Sequence, residues 1–155
     1  MKGIIVAAGY GTRFLPVTKT IPKEMLPLVN VPSIQLIIDE FVRAGILEIL
    51  VISSRRKKAL EDYLDREVEL EEVFTREGKR AQLERIEPTR ANVAFVRQRR
   101  MMGTGHALLA ARAWVGSDPC VVAYPDDLHM GETPLAAQLA AAWRETGCSV
   151  LASIA

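Results

Sequence analysis

The sequence predicts an open α/β sheet, mainly parallel, with helices on both faces, and three observations predict it. Short apolar runs alternate with segments of helical spacing. The run from Glu48 to Ser53 carries Ile49, Leu50, Val51 and Ile52 without a break, as a strand buried on both faces of a parallel sheet does. The chemically distinctive residues fall just after such runs, and open α/β sheets bind ligands beyond the carboxyl ends of their strands.

Gly3 to Ala8 is the first apolar run and ends in Gly9 and Gly11, a buried strand entering a tight glycine loop. Pro16, Pro22, Pro27 and Pro32 then punctuate residues 14 to 32, which excludes a regular helix and predicts a long ordered loop. From Ser33 to Ala44, Ile34, Ile37, Ile38 and Phe41 follow i, i+3, i+4, i+7 spacing; Ser33 is the expected N-cap and Gly45 the stop. With the strand from Glu48 to Ser53, this completes a strand, helix, strand crossover.

Residues 55 to 90 hold 20 of the chain's 39 charges, ten of each sign, and predict a locally neutral insertion of solvated helices protruding from the core. Val93 to Val96, a helix from Gly103 to Val115, and Cys120 to Tyr124 repeat the strand, helix, strand pattern. A helix over Leu135 to Arg144 and a strand over Cys148 to Ala155 complete the expectation.

Composition narrows the function. The 155 residues, 49% hydrophobic, suffice for one buried core. Twenty Lys and Arg stand against 19 Asp and Glu, so no net field draws the chain to nucleic acid or an anionic membrane. No stretch approaches the roughly 20 apolar residues of a membrane span. Cys120 and Cys148 follow neither a metal spacing nor a disulfide framework and sit in runs that read as buried strands, so reduced thiols and a cytoplasmic location are expected.

Several short segments could carry chemistry. The loop Gly9-Tyr10-Gly11-Thr12-Arg13 would let backbone N–H groups approach an anion while Arg13 adds a planar cation, although two glycines after a strand also suit a plain tight turn. Phe14 stands where a dinucleotide fingerprint needs its third glycine, and no P-loop string occurs. Lys23, between Pro22 and Pro27, is held in a restricted loop and becomes a phosphate candidate beside Arg13.

Asp126 and Asp127 follow an apolar strand through Pro125. Magnesium takes one or two carboxylates with phosphates completing its shell, and a paired Asp also suits a turn. Gly103-Thr104-Gly105-His106 opens a helix whose free N–H groups suit polar or anionic ligands. His106 and His129 face no nucleophile partner in the pattern, so His106 reads as structural or substrate-lining.

These strings, in this order, resemble the sugar-phosphate nucleotidyltransferase family: a strand, a Gly-x-Gly-Thr-Arg loop, a Pro-Lys loop and a later Pro-Asp after a strand. Within it they are similar to the bacterial UTP:glucose-1-phosphate uridylyltransferases, through AAGYGTRFLPVTKTIPKEMLPLVNVP, the charged stretch ELEEVFTREGKRAQLERI, FVRQRRMMGTGHALLAA and YPDDL. The resemblance implies a Rossmann-like three-layer fold, cut short at the C-terminus, with residues 1–155 as its nucleotide-binding part. It implies that Ala7, Ala8, Gly9, Gly11, Thr12 and Gly105 contact the nucleotide, that Arg13 and Lys23 hold its phosphates and serve catalysis, that Glu24, Gln98 and Gly103 surround the nucleoside, and that Asp126 binds Mg2+. The implied partners are UTP and glucose 1-phosphate, in a homodimer or homotetramer.

The chain ends at Ala155, where family members have over a hundred residues to run. The segment that holds the sugar phosphate and a second metal-binding Asp are therefore expected beyond it, and a fragment or truncated gene product is the expectation. A thymidylyltransferase or related enzyme is the competing enzymatic reading; a noncatalytic nucleotide-binding or assembly module is the competing reading of another class.

Overall fold

A computed structural model describes residues 1–153. Four parallel strands form the central sheet: β1 (Lys2–Val6), β4 (Glu48–Ser53), β5 (Asn92–Arg97) and β6 (Cys120–Ala123), in the order β5-β4-β1-β6. A two-stranded antiparallel ribbon, β2 (Pro27–Leu28) and β3 (Val31–Pro32), stands apart from it. The helices are α1 (Ser33–Arg43), α2 (Lys58–Leu64), α3 (Val68–Arg76), α4 (Arg80–Arg85), α5 (Thr104–Val115) and α6 (Leu135–Thr146).

Strand alternation builds two cores. Ile5, Ala7, Ile49 and Val51 face α1 and α6, whereas Ile4, Val6, Ala8, Leu50 and Ile52 face α5. In α1 the predicted stripe Ile34, Ile37, Ile38 and Phe41 is fully buried, and each such side chain contributes roughly 1.5–3 kcal/mol on leaving water. Phe41 reaches the sheet because Gly3 lacks a side chain: a Cβ there would lie 2.6 Å from the Phe41 ring. On the other face Ala107 and Ala111 let α5 settle onto β1 and β4.

Helix ends explain the connections. Gly45, at φ 75°, ends α1 as predicted: its N–H bonds Val42 O and that of Ile46 bonds Phe41 O, the paired bonds of a Schellman turn. Ser33 does not cap α1. Pro32 holds the N-cap position, and the Ser33 hydroxyl donates instead to Glu24 O at 3.2 Å. The start of α6 is capped from a distance, where Glu40 Oε1 of α1 accepts the Ala136 N–H at 2.9 Å.

Three expectations change. The ordered extended loop expected over residues 14 to 32 contains single turns of 3-10 helix at Val17–Lys19 and Lys23–Met25, and a third, Thr12–Phe14, leads into it. Residues 148 to 153 form no strand, because a strand persists only when its N–H and C=O groups find a ladder partner; the rest of that predicted strand lies outside the described residues. Cys120 and Cys148 are exposed, the first at the start of edge strand β6 and the second just past α6. Residues 55 to 90 do fold into short charged helices, and α3 and α4 bury none of their residues.

Candidate functional site

The carboxyl ends of the four parallel strands share one edge, and the loops that follow β1, β5 and β6 carry candidate groups. After β1 the chain enters Ala7 to Arg13. Ala7 and Ala8 are buried, and the Ala7 N–H extends the ladder to Ile52 O at 2.9 Å, so they present backbone rather than side chain. Gly11 takes φ 69°, a left-handed conformation that glycine adopts without strain. It is also crowded: a Cβ there would lie 3.2 Å from Thr18 Cγ2 and 3.3 Å from Lys23 Cβ. Thr18 Oγ1 donates to Gly11 O at 2.7 Å, so the glycine loop and the Pro-Lys loop are locked together.

That contact sets the charges. Lys23 Nζ lies 2.8 Å from Asp126 Oδ2, and an Arg13 guanidinium nitrogen lies 3.8 Å from the same oxygen. Asp126 enters from the end of β6 through the buried Pro125. Two cations and one carboxylate predicted from distant parts of the sequence therefore meet at one point. Lys23 is mostly shielded, whereas Arg13 is 87% exposed.

After β5, Gln98 is buried and its amide nitrogen lies 3.1 Å from both Gly103 O and His106 Nδ1. His106 thus orients Gln98. With both amide hydrogens engaged, the Gln98 oxygen is the group left to accept a bond. Gly103, at φ 86°, precedes α5, while Gly105 lies within the helix's first turn. This cluster sits two strands from β1 and has no contact with Asp126 among the described hydrogen bonds and ion pairs. Thr12, expected on the nucleotide, begins the 3-10 turn that presents Arg13.

Glu24 is placed differently from its neighbour. Its carboxylate is fully buried, with Oε2 2.5 Å from Lys57 Nζ, so its side chain has no exposed surface to offer a ligand in this conformation. Burial pushes the Lys57 ammonium below the usual lysine range; the Glu24 charge and hydrogen bond oppose that shift, and Lys23 adds to it. Composition hid Lys57 because it is one of ten basic residues in a stretch that reads as solvated.

Among the described residues no three His, Cys, Asp or Glu side chains converge as a metal cage. Asp126 by itself fits a hard cation that keeps water and takes phosphate oxygens, as Mg2+ does, and does not fit a cation requiring a preformed protein shell.

The fold and site together define an α/β domain with two cations and a carboxylate gathered at the carboxyl edge of a parallel sheet. The model of the nucleotidyl transferase family matches residues 2–154, and the chain belongs to that family. It is 45% identical over 152 residues to the UTP--glucose-1-phosphate uridylyltransferase of Staphylococcus haemolyticus (strain JCSC1435), covering 97% of this chain and 53% of that protein. The Staphylococcus epidermidis (strain RP62A) protein of the same name is 43% identical over the same shares.

Among solved structures, UDP-glucose pyrophosphorylase from Acinetobacter baumannii superposes with TM-score 0.84 at 36% identity, over 94% of this chain and 53% of that one. A UTP-bound structure from that organism gives TM-score 0.85 at 34% identity, with the same shares. A UDP-glucose pyrophosphorylase complexed with UDP-glucose gives 0.76 at 37%, over 95% and 54%. The chain spans about half the length of these relatives.

Proposed function

We propose that this chain supplies the nucleotide-binding half of a magnesium-dependent UTP:glucose-1-phosphate uridylyltransferase, which transfers UMP from UTP to glucose 1-phosphate and releases pyrophosphate. The observation that carries the reading is the meeting of Arg13 and Lys23 on Asp126 beside the Gly9–Gly11 loop. Similarity to uridylyltransferases at 43–45% identity supports UTP as the nucleotide.

In this reading the glucose 1-phosphate oxygen attacks the α-phosphorus of UTP in line, a new P–O bond forms, and the bond to pyrophosphate breaks. Little covalent work falls to the protein, so positioning and charge stabilisation supply the catalysis. Arg13 and Lys23 hold the phosphates and neutralise charge growing on the nonbridging oxygens and the leaving group. Backbone from Ala7 through Thr12 follows the nucleotide closely, and Gln98 with Gly103 and Gly105 lines the base. An acceptor oxygen on Gln98 suits the ring N–H that uracil carries and cytosine lacks. Asp126 is the residue that would hold Mg2+, which when bound supplies positive charge to the phosphates. Two free cysteines suit a reducing cytoplasm, and among the described residues no helix is long and apolar enough to cross a membrane.

Thermal unfolding with Mg2+ and UTP, dTTP, ATP or GTP tests the reading. A ligand that binds only the folded chain adds about 2.7 kcal/mol at a hundredfold excess over its dissociation constant. Selective stabilisation by UTP, lost in Arg13→Ala and in Lys23→Ala, is expected. Equal or absent responses to all four nucleotides would overturn it.

A further inference from the structure

Lys23 and Glu24 are neighbours in one turn, Lys23–Met25, yet their side chains serve opposite sides of it. Lys23 reaches outward to Asp126, and Glu24 reaches inward to Lys57, which leads into α2 just beyond β4. The Glu24 backbone is tied as well, since its carbonyl accepts the Ser33 hydroxyl. The turn is therefore held from behind by two elements of the core, α1 and the start of α2.

A stability role accounts poorly for the ion pair. Taking a carboxylate and an ammonium out of water costs several kcal/mol per ion, repaid only when every remaining lone pair is also satisfied. Glu24 Oε1 is buried without a partner among the described residues, as is the hydroxyl of Ser53 at the end of β4. Apolar side chains of similar volume commonly stabilise such a place as well or better. What a buried charge pair adds is a fixed geometry, because neither ion can leave the other without standing alone in a dry interior. Here that geometry governs the residue next to Lys23.

We infer that the Lys57–Glu24 pair is a strut that aims Lys23 at the phosphate site, making Lys57 a positioning residue that acts through Glu24 and Lys23. This rests on the reading of Lys23 as a phosphate-binding group. It assigns Glu24 a task at the back of the loop and links the charged insertion to the site through its first residues.

The test uses the full chain with Lys57→Met, and with Glu24→Gln and Lys57→Met together. The paired variant leaves no lone buried carboxylate and so carries the test if Lys57→Met alone fails to fold. Acylation of lysines by an amine-reactive reagent, read residue by residue by mass spectrometry, reports on Lys23 without nucleotide. Lys23 is expected to react about tenfold faster in the variants, a change within the usual coupling of contacting residues, while the exposed Lys79 is unchanged. A wild-type rate at Lys23 in the folded paired variant overturns the strut.

A second measurement separates positioning from independent binding. UTP titrations compare Lys23→Ala, the paired variant and their combination. If Lys57 acts through Lys23, adding the paired change to Lys23→Ala weakens UTP no further. Full additivity would mean that Lys57 works by itself, against the inference. Absence of UTP binding in the unmodified chain would count against the proposed function, while the acylation rates would still decide the strut.

Discussion

Lys23 Nζ and Asp126 Oδ2 lie 2.8 Å apart, so the cation suited to phosphate and the carboxylate suited to metal neutralise each other. A phosphate approaching Lys23 must part this pair and leaves Asp126 facing negative charge unless a cation joins it. Asp126→Asn is therefore expected to tighten binding of metal-free UTP and to abolish the gain from Mg2+. The expected coupling in the unmodified chain is about 1–3 kcal/mol. Calorimetric titration of UTP with and without Mg2+ measures both effects; an unchanged gain in Asp126→Asn would remove Asp126 from metal binding.

Gly11 and Gly9 make a controlled comparison within one loop. Gly11→Ala forces a side chain into φ 69° and against Thr18 and Lys23, and is expected to destabilise by roughly 1–2 kcal/mol while weakening UTP. A Cβ on Gly9 meets nothing within 4 Å, and its backbone needs no positive φ, so Gly9→Ala should leave folding almost unchanged. Urea unfolding of the two variants checks the difference, and equal losses would contradict it.

Glu40 joins α1 to α6 through one hydrogen bond to Ala136 N–H, where the partial positive charge of a helix start favours a carboxylate. Glu40→Ala should cost about 1–2 kcal/mol, in the range of a lost N-cap. Glu40→Gln keeps an acceptor and should lose less. Denaturant midpoints of the two variants rank the effects; full stability in Glu40→Ala would show that α6 starts without this cap.

Asp118 sits 2.8 Å from Lys2, which also donates to Trp114 O and so holds the end of α5 to the first strand. The hydrogen bond from Lys2, and then its charge, hold the Asp118 carboxyl below its usual 3.8. The unfolded chain thus takes up this proton at higher pH than the folded one. The stabilisation is complete above 3.8 and is lost as pH falls through the lowered folded value. Asp118→Asn should flatten this part of the acid limb slightly, as expected for an exposed pair. Unfolding midpoints measured down the acid range would show it.

Much of this is legible in sequence because it depends on local pattern. Ile34 through Phe41 announce α1 by spacing, and the unbroken run Ile49 to Ile52 announces a doubly buried strand. Arg13, Lys23 and Asp126 are legible as separate features, since each follows a glycine, proline or strand signal. Their partners are not. Lys57 looks like its solvated neighbours, and its burial depends on Glu24, far away along the chain. Glu40 lies on α1 with no local sign that it serves another helix. Ser33 has the chemistry of a cap, but a remote carbonyl claims its hydroxyl. The apolar residues from 148 read as a strand because pattern alone does not say whether a ladder partner exists.

The position of β1 in the sheet governs the order in which the fold can be completed. β1, the earliest of the four strands in chain order, lies between β4 and β6, so one of its edges awaits residues 48–53 and the other awaits residues 120–123. As the chain leaves the ribosome, Gly3 to Val6 can pair early with Ile49 to Ile52, while the opposite edge stays open until Cys120 to Ala123 have been made. Such late, long-range parallel pairing slows folding and exposes unpaired strand edges to neighbouring nascent chains. The strand that leads into the Gly9–Gly11 loop is thus sealed on both edges only late, and the cluster of Arg13, Lys23 and Asp126 cannot assemble before the stretch that delivers Asp126 has emerged.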